Sequence, residues 1–140
     1  MNKERLKKLL YDLDITTMEI EKSIELLNKY FDNEELKVEF SNSLKYKYLS
    51  LFIVYEDFIS MLLKENSLYE VAMSVDKAIR KLRANDILTE EYADYLNASR
   101  LIRNKIGHRY KQPKIEDVLK FLEKTRDIRE SFNKYIASYM

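Results

Sequence analysis

The sequence predicts an all-α protein, an antiparallel helical bundle of four long helices with one or two short ones. Three observations lead there. The 140 residues include a single glycine and a single proline, far below ordinary usage, and sheets need the tight turns that such residues make. Apolar residues recur at spacings of three and four along most of the chain. Short polar clusters rich in helix-capping residues punctuate those runs.

Residues 3–31 read as the first helix, with Leu6, Leu9, Leu10, Leu13, Thr17, Ile20, Ile24, Leu27 and Phe31 on one side and Lys7, Lys8, Asp12, Glu19, Glu21, Lys22 and Glu25 between them. Asp32-Asn33 ends it. Residues 34–40 are expected as a short turn of helix. Ser41 or Ser43 then caps a second long helix over about 42–65. Tyr46, Leu49, Phe52, Ile53, Tyr55, Phe58 and Leu62 leave that helix almost no polar face. A helix apolar nearly all round is either central in its bundle or packed on a second molecule. The adjacent carboxylates Glu56 and Asp57 point about 100° apart on a helix and do not form a paired site. Either one faces solvent while the other meets a cation, or one lines a pocket with the basic stretch described below.

Ser67 and Glu70 have capping-box spacing, which predicts a short helix over 68–73. Another follows at about 75–84 with Val75, Ala78, Ile79 and Leu82 inward. Thr89, followed by Glu90 and Glu91, caps a helix from about 90 to 107. Gly107 suits its end, where a left-handed or loosened backbone costs glycine little. Beyond Lys111-Gln112-Pro113-Lys114, one last helix is expected from Ile115 almost to Met140, with Val118, Phe121, Leu122, Thr125, Ile128, Phe132, Tyr135 and Ile136 as its stripe. No repeat, low-complexity tract or linker divides residues 1–140, so one domain is expected.

Composition excludes several classes. There is no cysteine and only one histidine, so neither a disulfide framework nor a Cys- or His-based metal site is available. The net charge of +1 gives no global attraction to nucleic acid. No apolar run nears the roughly 18 residues of a membrane span, and no leader-like segment is visible at the N-terminus. These readings predict a cytoplasmic protein without a cofactor and without membrane contact.

The exception to this even charge balance is a window from Tyr95 to Ile115, which has no Asp or Glu. It holds Arg100, Arg103, Lys105, Arg109, Lys111 and Lys114, and with them His108 and Gly107, the only histidine and glycine of the chain. His108 is the one side chain that exchanges a proton near neutral pH. Arg103 offers a planar fork suited to phosphate. On a regular helix the two would diverge by about 140°, so either the break near Gly107 turns His108 back or a second subunit supplies the complement. Asn104, four residues before His108, is placed to orient the imidazole. A His and an Arg in a cationic setting suit RNA cleavage without a metal. The His moves a proton at the 2′-hydroxyl or the leaving 5′-oxygen, the Arg stabilises charge on phosphate, and a 2′,3′-cyclic phosphate results. The plainer reading is a histidine that caps a helix end beside a solvated basic surface.

Arg103-Asn104-Lys105-Ile106-Gly107-His108-Arg109-Tyr110 resembles the R-N-x3-H-x-Y motif of the HepT toxin family in the HEPN superfamily of helical bundles. The resemblance extends over roughly residues 43–138. It implies a homodimer whose two motifs meet in one cleft, with Arg103 and His108 catalytic and Asn104 as the polar residue beside the arginine. The implied activity is a metal-independent endoribonuclease toxin acting on cellular RNA, mRNA or tRNA. Arg100, Lys105, Arg109 and Lys111 would then lie along the RNA. The implied partner is a minimal nucleotidyltransferase antitoxin that transfers AMP to Tyr110, placing a phosphate and an adenosine in the cleft. The alternative is a non-catalytic substrate-binding subunit of a two-component nucleotidyltransferase.

Overall fold

Asn2 and Asn33 set the first two helices of the chain. In the computed structural model, which describes all of Met1–Met140, Asn2 accepts from the backbone N–H groups of Glu4 and Arg5 and opens α1, Lys3–Lys29. Asn33 accepts from Leu36 N at 3.1 Å and opens α2, Glu34–Glu65. The expected break near residue 41 is absent. Ser41 is buried inside a continuous 32-residue helix, because serine is only mildly unfavourable within a helix and Asn33 already supplies the cap. Glu19 pairs with Lys47 at 2.7 Å, and the Met1 amine pairs with Glu65, so α1 and α2 run antiparallel.

The helix expected over 68–73 does not form. Ser67 takes φ 58° as the left-handed residue that closes α2. Its N–H donates to the Lys64 carbonyl, and that of Leu68 donates to the Leu63 carbonyl, the pairing of a Schellman end. A residue held at that φ cannot also serve as an extended N-cap. Glu70 instead pairs with Lys77 and Lys81. Ser74 caps α3, Val75–Ala84, by accepting from Lys77 N. Asp86 (φ 58°) closes α3 in the same way, with Ile87 N donating to the Leu82 carbonyl.

Thr89 accepts from Tyr92 N and opens α4, Glu90–Gly107, as expected. The last helix is in two pieces, α5 (Ile115–Lys124) and α6 (Arg126–Ala137). Thr125 breaks it at φ −99° and ψ 9°. Its hydroxyl donates back to the Phe121 carbonyl at 2.7 Å, a bond that bends helices. Arg129, 3 % exposed, donates to the Leu122 carbonyl and to Thr125 Oγ1.

The six helices contain no strand between them and bury thirty hydrophobic residues in one cluster. α2 is central. It packs on α1, α3 and α4 and contributes twelve buried residues. Its tyrosines carry polar pins through the core. Tyr48 Oη donates to the Ser99 carbonyl at 2.7 Å, and Tyr55 Oη lies 3.0 Å from Tyr95 Oη. Burial pushes Tyr48 and Tyr55 well above the ordinary tyrosine range and raises Tyr95 as well. These pins hold α4 in register on α2, about one and two turns before Arg103. No helix is long and apolar enough to cross a membrane.

Candidate functional site

α4 and α2 meet at an open depression of about 550 Å³, lined by Leu49 and Ile53 from α2 and by Arg103, Asn104, Gly107 and His108 from α4 and its end. The spacing Leu49–Ile53 is one helical turn, so the two apolar side chains form a single wall. Tyr46 and Ile53 on the same outer side of α2 are 66 % and 57 % exposed. The helix is thus central in the fold and still carries an apolar strip that reaches solvent beside the site.

The Arg103 guanidinium is held on three sides. Its Cζ lies 5.7 Å from the Phe52 ring centroid, Nη2 is 3.4 Å from Glu56 Oε1, and Nη1 donates to Asn104 Oδ1 at 3.4 Å. Glu56 Oε1 is buried and has no aligned hydrogen bond, so its contact with Arg103 is one of charge. The two sequence readings of the carboxylate pair meet here. Asp57 faces solvent, and the cation that Glu56 meets is the arginine of the basic stretch. Asn104 was expected to orient His108; its side chain accepts from Arg103 instead. His108 has already left the helix, at φ −89° and ψ 99°, so the four-residue spacing that would have stacked the two no longer applies.

Gly107 does not use a left-handed backbone, since no glycine has positive φ. It is the last residue of α4, and a Cβ there would meet nothing within 4 Å. The turn that brings His108 into the depression comes from extended backbone at His108 itself and from Gln112. Gln112 Nε2 donates to the carbonyls of Ile106 (2.6 Å) and His108 (3.0 Å), and Lys111 N donates to the same His108 carbonyl. Two orphan acceptors at a helix end are satisfied this way. Nothing in the sequence pattern marked Gln112 or the α2 wall, because both act through the packing of distant segments.

The remaining candidates are spread around this centre. Arg100 is turned toward α3, where Nη2 lies 3.8 Å from Asp76 Oδ1. Lys105, Arg109 and Lys111 are exposed and form no ion pair. Tyr110 is 86 % exposed, with the Arg109 guanidinium 5.7 Å from its ring centroid, and lies outside the depression. No three acidic or histidine side chains come together as metal ligands. Arg103, Asn104 and His108 therefore share one site that combines a guanidinium fork and an imidazole ring. The chain matches no protein-family model, no curated protein and no solved structure.

Proposed function

We propose that the protein is a metal-independent endoribonuclease of the HepT kind, a toxin that acts as a homodimer of HEPN-type helical bundles. One observation carries this reading: Arg103, Asn104 and His108 line a single open depression. Arg103 binds the scissile phosphate and stabilises charge as it grows on the phosphoryl oxygens. An imidazole takes the 2′-hydroxyl proton while that oxygen bonds to phosphorus. The P–O5′ bond breaks, a proton passes to the leaving oxygen, and a 2′,3′-cyclic phosphate remains. Each subunit has one histidine, so a dimer that joins two depressions supplies both a base and an acid. The exposed apolar residues Tyr46 and Ile53 beside the depression suit such a contact. The unpaired Lys105, Arg109 and Lys111 suit the flanking phosphates. Tyr110 is open to an antitoxin that transfers AMP from ATP to its hydroxyl with release of pyrophosphate.

The test is RNA cleavage in EDTA by purified wild-type protein and by His108→Ala. Cleavage by the wild type alone, leaving cyclic-phosphate ends, supports the reading. An inactive wild type whose intact mass shows no added AMP overturns it and favours a non-catalytic partner of a nucleotidyltransferase.

A further inference from the structure

Tyr110 is the most exposed aromatic residue of the chain, at 86 %. A single exposed ring is ordinary on a protein surface, but the setting of this one is not. It stands on a held turn. Lys111 N donates to the His108 carbonyl at 3.1 Å, and Gln112 Nε2 donates to the carbonyls of Ile106 and His108. The ring is therefore carried at a defined place beside the depression, its Cα no more than about 7 Å from that of His108 two residues back. The Arg109 guanidinium lies over the ring, 5.7 Å from its centroid, and the exposure of the residue leaves the other face open. Arg109 and Lys111, its neighbours on either side, have no carboxylate partner. No Asp or Glu occurs from Tyr95 to Ile115, so nothing nearby in the chain competes for these cations.

We propose that Tyr110 is a stacking platform for an unpaired base of RNA, next to the nucleotide whose phosphate Arg103 holds. This rests on the RNA-binding reading given above. An open aromatic face between free cations complements a chain that carries flat bases on a polyanionic backbone. The base lies on the open face of the ring, while Arg109 and Lys111 meet the phosphates on either side of it. Proteins that hold single strands without reading their sequence combine the same two elements. The ring also tells strands apart. In a duplex both faces of a base are already stacked on its neighbours, so only an unpaired base reaches the tyrosine. Tyr110 thus selects single-stranded RNA and favours no particular base.

Stacking and charge are separable by salt. The probe is a short, fluorescently labelled oligoadenylate whose 2′-hydroxyls are methylated, so that it binds without being cleaved. It is used alone and annealed to its complement, with wild-type protein whose intact mass shows no AMP. Affinity is read by anisotropy over a range of salt concentrations. Tyr110→Ala is expected to weaken the single strand by about tenfold and to leave the slope of affinity against salt unchanged, since no charge is removed. It should not alter binding of the duplex. Arg109→Ala is expected to lower the salt slope. Tyr110→Phe keeps the ring and should stay within about twofold of the wild type. Wild-type affinity in Tyr110→Ala, an equal loss for single strand and duplex, or a Tyr110→Phe as weak as Tyr110→Ala overturns the proposal. Failure of the wild type to bind the oligonucleotide overturns it too and leaves the ring and its cations to an acidic protein partner. If Tyr110→Ala binds like the wild type in a protein that cleaves RNA, the platform is wrong and the nuclease stands. If binding depends on the ring in a protein that cannot cleave, the platform stands and the nuclease falls.

Discussion

Arg103 Nη2 lies 3.4 Å from Glu56 Oε1 across the seam between α4 and α2, with the Phe52 ring beneath the guanidinium. The pair is partly solvated, its side chains 40 % and 29 % exposed, so its contribution to stability is at most about 1 kcal/mol. Its consequence is positional: the fork is held in place at the edge of the depression, as the proposed phosphate-binding role requires. Arg103→Ala is expected to lower RNA cleavage by about 10²–10³-fold and to change the unfolding free energy by no more than about 1 kcal/mol. Arg103→Lys keeps the charge, loses the fork, and should fall between the two. Activity and urea unfolding on the same samples decide. A large stability loss with unchanged cleavage would make this pair a structural one.

Arg129 is the opposite case. It is 3 % exposed, donates to the Leu122 carbonyl and Thr125 Oγ1 across the break between α5 and α6, and has Glu21 Oε1 3.5 Å from Nη2. Removing it leaves buried acceptors without a donor. Arg129→Met is expected to cost about 3–5 kcal/mol, a fall in Tm above about 6 °C for a chain of this size. Glu21 is 44 % exposed and also pairs with Arg126, so Glu21→Gln should cost less than about 1 kcal/mol. Equal losses for the two variants would mean that the ion pair, not the carbonyl cap, holds the break.

Where local chemistry decides, the sequence was legible. Thr89 followed by Glu90 and Glu91 marks the start of α4, and the structure begins the helix there. Serines misled in two places. Ser41 resembles a cap yet lies inside α2, because Asn33 had already opened the helix. Ser67 and Glu70 have capping-box spacing, yet a chain with one glycine must place other residues at left-handed helix ends, and Ser67 serves there. The break at Thr125 is hidden because the threonine reads as one more position of the stripe, and the buried Arg129 that bridges the break sits four residues on in what reads as a polar position. At the site, Arg103, Asn104 and His108 form a short local pattern and were readable. Their surroundings, Phe52, Glu56, Leu49 and Ile53 on α2 and Gln112 beyond the helix end, come from tertiary packing that no spacing encodes.

The buried tyrosines make stability depend on alkaline pH. Tyr48, Tyr55 and Tyr95 are raised above the usual value of 10.0, first by burial; next, Tyr48 and Tyr55 are raised by the neighbouring Tyr95, whereas hydrogen bonding to Tyr55 pulls Tyr95 down slightly. The folded state therefore keeps protons that the unfolded state releases above about pH 10. Their contribution is complete below that pH and declines as pH rises further. A pH titration should show loss of far-UV ellipticity coincident with a step in tyrosinate absorbance. A full rise in tyrosinate absorbance while ellipticity stays native would refute the burial of these hydroxyls.

On the proposed function, Tyr110 is where cleavage and its control can be separated. The residue is 86 % exposed and outside the depression lined by Arg103, Asn104 and His108, so its hydroxyl is not needed to hold the fold or those side chains. The side chain is two residues from His108, near enough for a nucleotide attached to it to reach the depression. Adding AMP there would introduce a negative phosphate beside the depression in which the proposed function seats the phosphate of RNA, and like charges exclude one another. Tyr110→Phe removes the acceptor oxygen and little else. It should leave the unfolding free energy within about 0.5 kcal/mol and retain most of the RNA cleavage. It should also gain no AMP mass on incubation with a cognate nucleotidyltransferase and ATP, and escape inhibition by it. Modification that persists in Tyr110→Phe would place the acceptor elsewhere, and cleavage lost in the unmodified variant would move this tyrosine into the reaction itself.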